Sequence, residues 1–117
     1  MANRTPAAGG RNRSRPTARE IRPHADKAAA LLKALANEQR LLILCNLLDG
    51  PSSVGELNER LDLSQSALSQ HLSVLRETGV VTTAREAQTI RYSLPEGAVT
   101  RIIAILHGEF CKPNSAA

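Results

Sequence analysis

Apolar positions along the chain fall into runs of helical or strand-like period, separated by sharp breaks. Ala28, Leu31, Leu32 and Leu35 recur at helical spacing and predict a first helix from about Pro23 to Leu35. Asn37 reads as the cap of a second helix, Glu38 to Leu48, in which Leu41, Leu42, Ile43, Leu44, Cys45, Leu47 and Leu48 are almost continuously apolar. A helix of that kind is expected to be buried on most sides. Asp49, Gly50 and Pro51 stop it, since Gly suits a left-handed end and Pro cannot continue a helix.

Ser53 followed at the third position by Glu56 is the spacing of a capping box, opening a short helix that runs to about Leu61. Asp62, Leu63 and Ser64 form a turn, and Ser64 caps the next helix, Gln65 to Thr78, which Gly79 ends. Two short helices across a tight turn predict a helix-turn-helix. Val80 to Arg85 and Thr89 to Leu94 are strand-like runs around Glu86, Ala87 and Gln88, which predicts a hairpin wing. Pro95 suits the first turn of a last helix, Glu96 to Phe110, with Val99, Ile102, Ile103, Leu106 and Phe110 on one face. The predicted fold is therefore mainly α with a β-hairpin wing: five helices in a winged helix-turn-helix domain over residues 23–111.

Composition sharpens this picture in two ways. With Tyr92 and Phe110 as the aromatics and no Trp, the core must be aliphatic, so a domain of this size has little apolar area to bury by itself and gains from a second copy. The net charge of +4 is concentrated at one end, because residues 1–22 hold six arginines (Arg4, Arg11, Arg13, Arg15, Arg19 and Arg22) against Glu20. That segment lacks periodicity and is expected to be disordered, as a solvated tail or as a basic arm drawn to phosphates; a transit peptide is a remoter reading. Residues 112–117 form a second tail. The chain has no apolar run near the roughly 20 residues a spanning helix needs and no apolar stretch beside its first arginines, so the expectation is a cytoplasmic protein with no membrane partner.

On the Gln65 to Thr78 helix, Leu68, Leu72 and Leu75 fall on one face and pack inward. Ser66, Ser69, Gln70, Ser73 and Glu77 form the opposite face. Small hydroxyls and an amide replace the Lys/Glu mixture of an ordinary exposed helix, and Ser is a mediocre helix former, so stability explains this face poorly. Compact donors and acceptors suit the base edges of the major groove, where Gln pairs bidentately with adenine. The candidate DNA-contacting set is Gln65, Ser66, Ser69, Gln70 and Ser73, with His71 and Arg76 at the flanks and Arg85, Gln88 and Arg91 in the wing. A packed His71 and a merely solvated hairpin are the plainer alternatives.

The segments LLKALANEQRLLILCNL and SVGELNERLDLSQSALSQHLSVLRETGVV, with a wing ending in IRYSL, resemble the ArsR-type repressors over about Ala25 to Cys111. The resemblance implies a homodimer joined through its first and last helices, bound to an imperfect inverted repeat of double-stranded DNA and released by an inducer. Metal-sensing members carry a Cys-x-Cys pair on the first helix of the motif, or Asp and His pairs on the last. Neither is present, so no metal and no cofactor is expected; a metal site would have to be improvised from His24, His107 and the cysteines.

Cys45 and Cys111 match the positions of the two sensing cysteines in the BigR and SqrR branch of these repressors, which responds to persulfide, polysulfide or oxidants. Two such thiols on helices that pack together are joined by a disulfide or a short sulfur chain if they lie within reach, a bond that in the cytosol is transient and sensing. His107, one turn before Cys111, is a candidate to stabilise a thiolate. For Cys45 the plain reading is a small core residue in an apolar helix. Three rival functions stand beside the redox repressor: an ArsR-type repressor with inert cysteines that answers to a metal or small molecule, a thiol enzyme, and a winged helix used for protein contact or DNA compaction. The enzyme reading lacks a Cys-x-x-Cys, an acidic partner for His107 and a loop long enough to form a pocket.

Overall fold

The structure, a computed structural model, describes residues 17–111. Its elements are α1 (Ala18–Ile21), a single 3-10 turn (Arg22–His24), α2 (Ala25–Leu35), α3 (Glu38–Leu47), β1 (Ser52–Ser53), α4 (Val54–Arg60), α5 (Gln65–Glu77), β2 (Thr82–Glu86), β3 (Thr89–Ser93) and α6 (Ala98–Phe110). The five predicted helices appear as α2 to α6, and the hairpin as β2 and β3. Two boundaries differ from expectation. The Thr17 hydroxyl accepts from the Glu20 N–H, and residues 17–22, expected to lack a fold, form a helical turn. Residues 1–16 and 112–117, which carry most of the two expected tails, lie outside the described part of the chain. The last helix starts at Ala98 and not in the Pro95 turn, because Gly97 at its cap takes φ 123°, a value open to glycine, and turns the chain before the helix can begin.

Local chemistry fixes the other ends. Asn37 Oδ1 accepts from the Arg40 N–H at 3.0 Å and opens α3. Ser53 Oγ accepts from the Glu56 N–H at 3.1 Å while Glu56 Oε1 accepts from the Ser53 N–H at 2.9 Å, a complete capping box. Asn58 reaches across the turn to donate to the Leu63 carbonyl, and Ser64 Oγ accepts from the Ala67 N–H to open α5. At the far end of α5 the N–H groups of Gly79 and Val80 return to the carbonyls of Arg76 and Leu75. This is a Schellman end, with Gly79 at φ 76°.

The sheet has the order β1-β3-β2, antiparallel throughout. β1 is a strand the periodicity missed: two residues, Ser52 opposite Tyr92 and Ser53 opposite Arg91, are too few to show a pattern. It brings the wing against the start of α4. At the hairpin turn Ala87 sits at φ 58°, a left-handed conformation that costs a residue with a Cβ about 1–2 kcal/mol.

Ile43, Leu44, Leu57, Leu68, Leu72, Leu75, Val80 and Ile103 form the centre of one aliphatic core and are essentially without exposure. Val80 and Val81, expected as strand, are buried linkers between α5 and β2. Helix α3 buries Ile43, Leu44 and Leu47 but leaves Leu42 46% exposed, so it is less enclosed than its composition predicts. On α6, Val99 and Ile103 are buried, whereas Ile105 and Phe110 are 65% and 80% exposed; Phe110 does not join the packed face expected of it. No helix among the described residues is long and apolar enough to cross a membrane.

Candidate DNA interface and dithiol cavity

Helix α5 presents its two faces as its sequence requires. Leu68, Leu72 and Leu75 anchor it in the core, and Gln65, Ser66, Ser69, Gln70, Ser73, Arg76 and Glu77 are exposed along the other side. His71 is half-buried between the faces. Ser66 Oγ lies 3.4 Å from the capping hydroxyl of Ser64, so its first hydrogen bond is to its own helix end. The outer face is a row of small polar groups on a helix pinned at both ends, the shape that enters a major groove.

Arg85 and Gln88 are exposed at the hairpin, but Arg91 is half-buried and not an unpaired cation. Its Nη1 donates to Glu56 Oε1 at 2.9 Å and its Nε to Glu86 Oε1 at 2.8 Å. The N–H of Ser53, first, and then Arg91 hold the Glu56 carboxyl below the usual carboxylate range. The two carboxylates in turn hold the Arg91 guanidinium above its ordinary value, Glu86 first. Neither glutamate stood among the candidate residues. Glu56 announced itself only as a cap, and its pairing with Arg91 spans 35 positions.

The cysteines lie on a different part of the molecule. Cys45, half-buried on α3, and Cys111, exposed at the C-cap of α6, both line a cavity of about 290 Å³ between these helices. Leu41, Leu42, Ile103, Leu106 and Phe110 make its walls apolar, and Glu38 and His107 stand at its edge. Both thiols are free. Burial, and then the proximity of Cys111, push the Cys45 thiol above its ordinary value. A wider, more open cleft of about 460 Å³ beside Gly50, Leu94, Gly97 and Arg101 carries neither cysteine nor histidine. Among the described residues no group of three or more His, Cys, Asp or Glu side chains is placed to hold a metal ion.

The model of the bacterial regulatory protein, arsR family, matches residues 37–83, from the cap of α3 into the wing. The chain is also 55% identical over 95 residues to the transcriptional activator HlyU of Vibrio cholerae, covering 81% of this chain and 88% of that protein. The chain belongs to the ArsR family. It is 49% identical over 90 residues to the biofilm growth-associated repressor of Agrobacterium fabrum, covering 77% of each. Among solved structures, reduced HlyU from Vibrio cholerae superposes with a TM-score of 0.74 at 54% identity, over 80% of this chain and 99% of that one. The repressor BigR from Xylella fastidiosa gives 0.72 at 39% identity, over 81% and 94%. This ArsR-family chain is thus a transcriptional regulator with a winged helix-turn-helix DNA-binding fold, of the BigR-like branch. Its relatives are named regulators, activator and repressor alike, and not enzymes.

Proposed function

We propose that the protein is a homodimeric repressor that grips an inverted-repeat operator with α5 and the wing, and that lets go when reactive sulfur species or oxidants bridge Cys45 to Cys111. The observation that carries this reading is the shared cavity: thiols far apart in the chain line one apolar space between α3 and α6. A bond across it ties a helix packed on α5 to the last helix. A relative at 54% identity, HlyU from Vibrio cholerae, has been solved in a reduced form, which supports a redox-responsive regulator.

The chemistry balances with a hydropersulfide as the oxidant. The exposed Cys111 thiolate attacks the sulfane sulfur of the hydropersulfide, forming a Cys111 persulfide and releasing the parent thiol after proton transfer. Cys45 then attacks the inner sulfur, the S–S bond of the persulfide breaks, and the terminal sulfur leaves as hydrogen sulfide. Two thiols lose two electrons in all, and one sulfane sulfur gains them. Hydrogen peroxide reaches the same bond through a Cys111 sulfenic acid, with two waters leaving.

Dimerisation is supported by the apolar side chains left uncovered on the outer helices: Ile21 and Leu32 at 50% and 55% exposure, with Ile105 and Phe110 on α6. The test is fluorescence anisotropy on duplex from the gene's own upstream region, with reduced, polysulfide-treated and peroxide-treated protein. The proposal expects tight binding by reduced protein and a reversible loss of at least about tenfold, or about 1.4 kcal/mol of coupling, after treatment. Unchanged affinity in all three states overturns the switch and leaves the cysteines as packing residues.

A further inference from the structure

Arg91 is held unequally by its two partners. Glu56 is itself fixed, because the Oε1 that meets Arg91 also accepts the Ser53 N–H in the capping box. Glu86 ends β2, beside the exposed Arg85, with a side chain 72% exposed. Its pairing with Arg91 is a surface ion pair of the kind that contributes little to stability. A phosphate diester offers a guanidinium the same two-oxygen fork as a carboxylate. On a wing that flanks a groove-binding helix, phosphate therefore competes directly with Glu86 for Arg91.

We propose that Glu86 is an internal stand-in for DNA phosphate. In the free protein it occupies the Nε edge of Arg91; on binding, a backbone phosphate displaces it, while Glu56 keeps Nη1 and holds the wing against α4. Glu86 thereby sets how much of the wing's positive charge reaches DNA and lowers affinity for every sequence alike, since phosphate contacts position the protein without reading bases. Arg91 is then both the tie between wing and motif and a cation held in reserve. The proposal rests on DNA binding by this face and is independent of the cysteine switch.

The test measures anisotropy with reduced protein on two duplexes, the gene's own upstream region and a random sequence, across a salt series. Glu86→Gln, a change on an exposed side chain, is expected to tighten binding to both duplexes by roughly threefold or more at low salt. Arg91→Met is expected to weaken both and to reduce the salt slope by about one, as loss of a single phosphate contact does. Arg91→Lys keeps a charge without the fork and is expected to retain most of that slope, which separates a lost contact from a misfolded wing. Combining Glu86→Gln with Arg91→Met is expected to cancel most of the gain. An equal gain in both backgrounds means that Glu86 merely repels DNA, and an unchanged slope in Arg91→Met means that Arg91 never leaves its clamp; either overturns the proposal. Failure of wild-type protein to bind either duplex overturns the DNA-binding reading as well, a distinguishable result.

Discussion

Cys45 and Cys111 line one cavity but differ in access: Cys45 is half-buried on α3, and Cys111 is exposed at the end of α6. Burial and the neighbouring Cys111 favour the neutral form of the Cys45 thiol. The first encounter with an electrophile therefore falls to Cys111. Near neutral pH, iodoacetamide is expected to label Cys111 well before Cys45, with Cys45 catching up as pH rises through and beyond the ordinary thiol range of about 8.5. Peptide mass spectrometry across a pH series reads this directly, and equal rates at neutral pH contradict it.

The same shift makes a prediction about stability. With the Cys45 pKa raised on folding, the native state binds more protons than the unfolded chain between the unfolded and folded values. Its contribution is fully present below the unfolded thiol value and is lost as pH rises through the folded one. Chemical denaturation of reduced protein is expected to show an alkaline loss of stability that Cys45→Ser makes smaller. Single substitutions Cys45→Ser or Cys111→Ser are also expected to retain operator binding and to abolish its response to polysulfide.

On α5 and the wing, Gln70 and Arg85 are expected to have separable tasks. Gln70 stands exposed among small hydroxyls on α5, and Arg85 is exposed at the hairpin. Gln70→Ala is expected to cost about 1–3 kcal/mol on operator duplex and to spare random duplex. Arg85→Ala is expected to weaken both alike and to lower the salt slope by about one. Binding titrations on the two duplexes distinguish them; a uniform loss from Gln70→Ala removes it from base readout.

The helix-turn-helix was legible because its punctuation is local. The capping pair Ser53 and Glu56, the cap Ser64 and the terminator Gly79 each act within a few residues, and each acts in the fold as its spacing implied. What was not legible depends on distant partners or on backbone freedom. β1 exists only because Tyr92 and Arg91 come back to pair with it. The clamp on Arg91 was not legible because Glu56 is remote in the chain. Propensity places the start of the last helix at the Pro95 turn, but Gly97 takes the turn, and the Thr100 hydroxyl satisfies the Pro95 carbonyl that the late start leaves outside the helix. The pairing of the cysteines came from resemblance, since periodicity alone made Cys45 an ordinary core residue.

Ile105 tests the assembly. It is 65% exposed on α6, two positions beyond the buried Ile103 and so on another side of the helix, and a large aliphatic side chain there is costly to leave in water unless a second copy covers it. Ile105→Glu is expected to shift sedimentation toward monomer and, because two half-sites then bind separately, to weaken operator binding much more than random-duplex binding. A variant that sediments as the wild type places the dimer contact elsewhere.

Leu68 links core stability to recognition. Its side chain has no exposure, and it anchors the face of α5 opposite Ser69, Gln70 and Ser73. Truncation to Ala removes buried methyl groups and leaves a cavity that α5 closes only by moving, so Leu68→Ala is expected to destabilise the fold by about 2–5 kcal/mol in denaturant unfolding. Base readout demands side chains held within a fraction of an ångström, whereas phosphate attraction tolerates displacement. In protein that remains folded at low temperature, Leu68→Ala is therefore expected to lose operator binding while retaining most random-duplex binding. Parallel anisotropy titrations on the two duplexes check this, and an equal loss on both means that the core beneath α5 supports the fold without aligning its outer face.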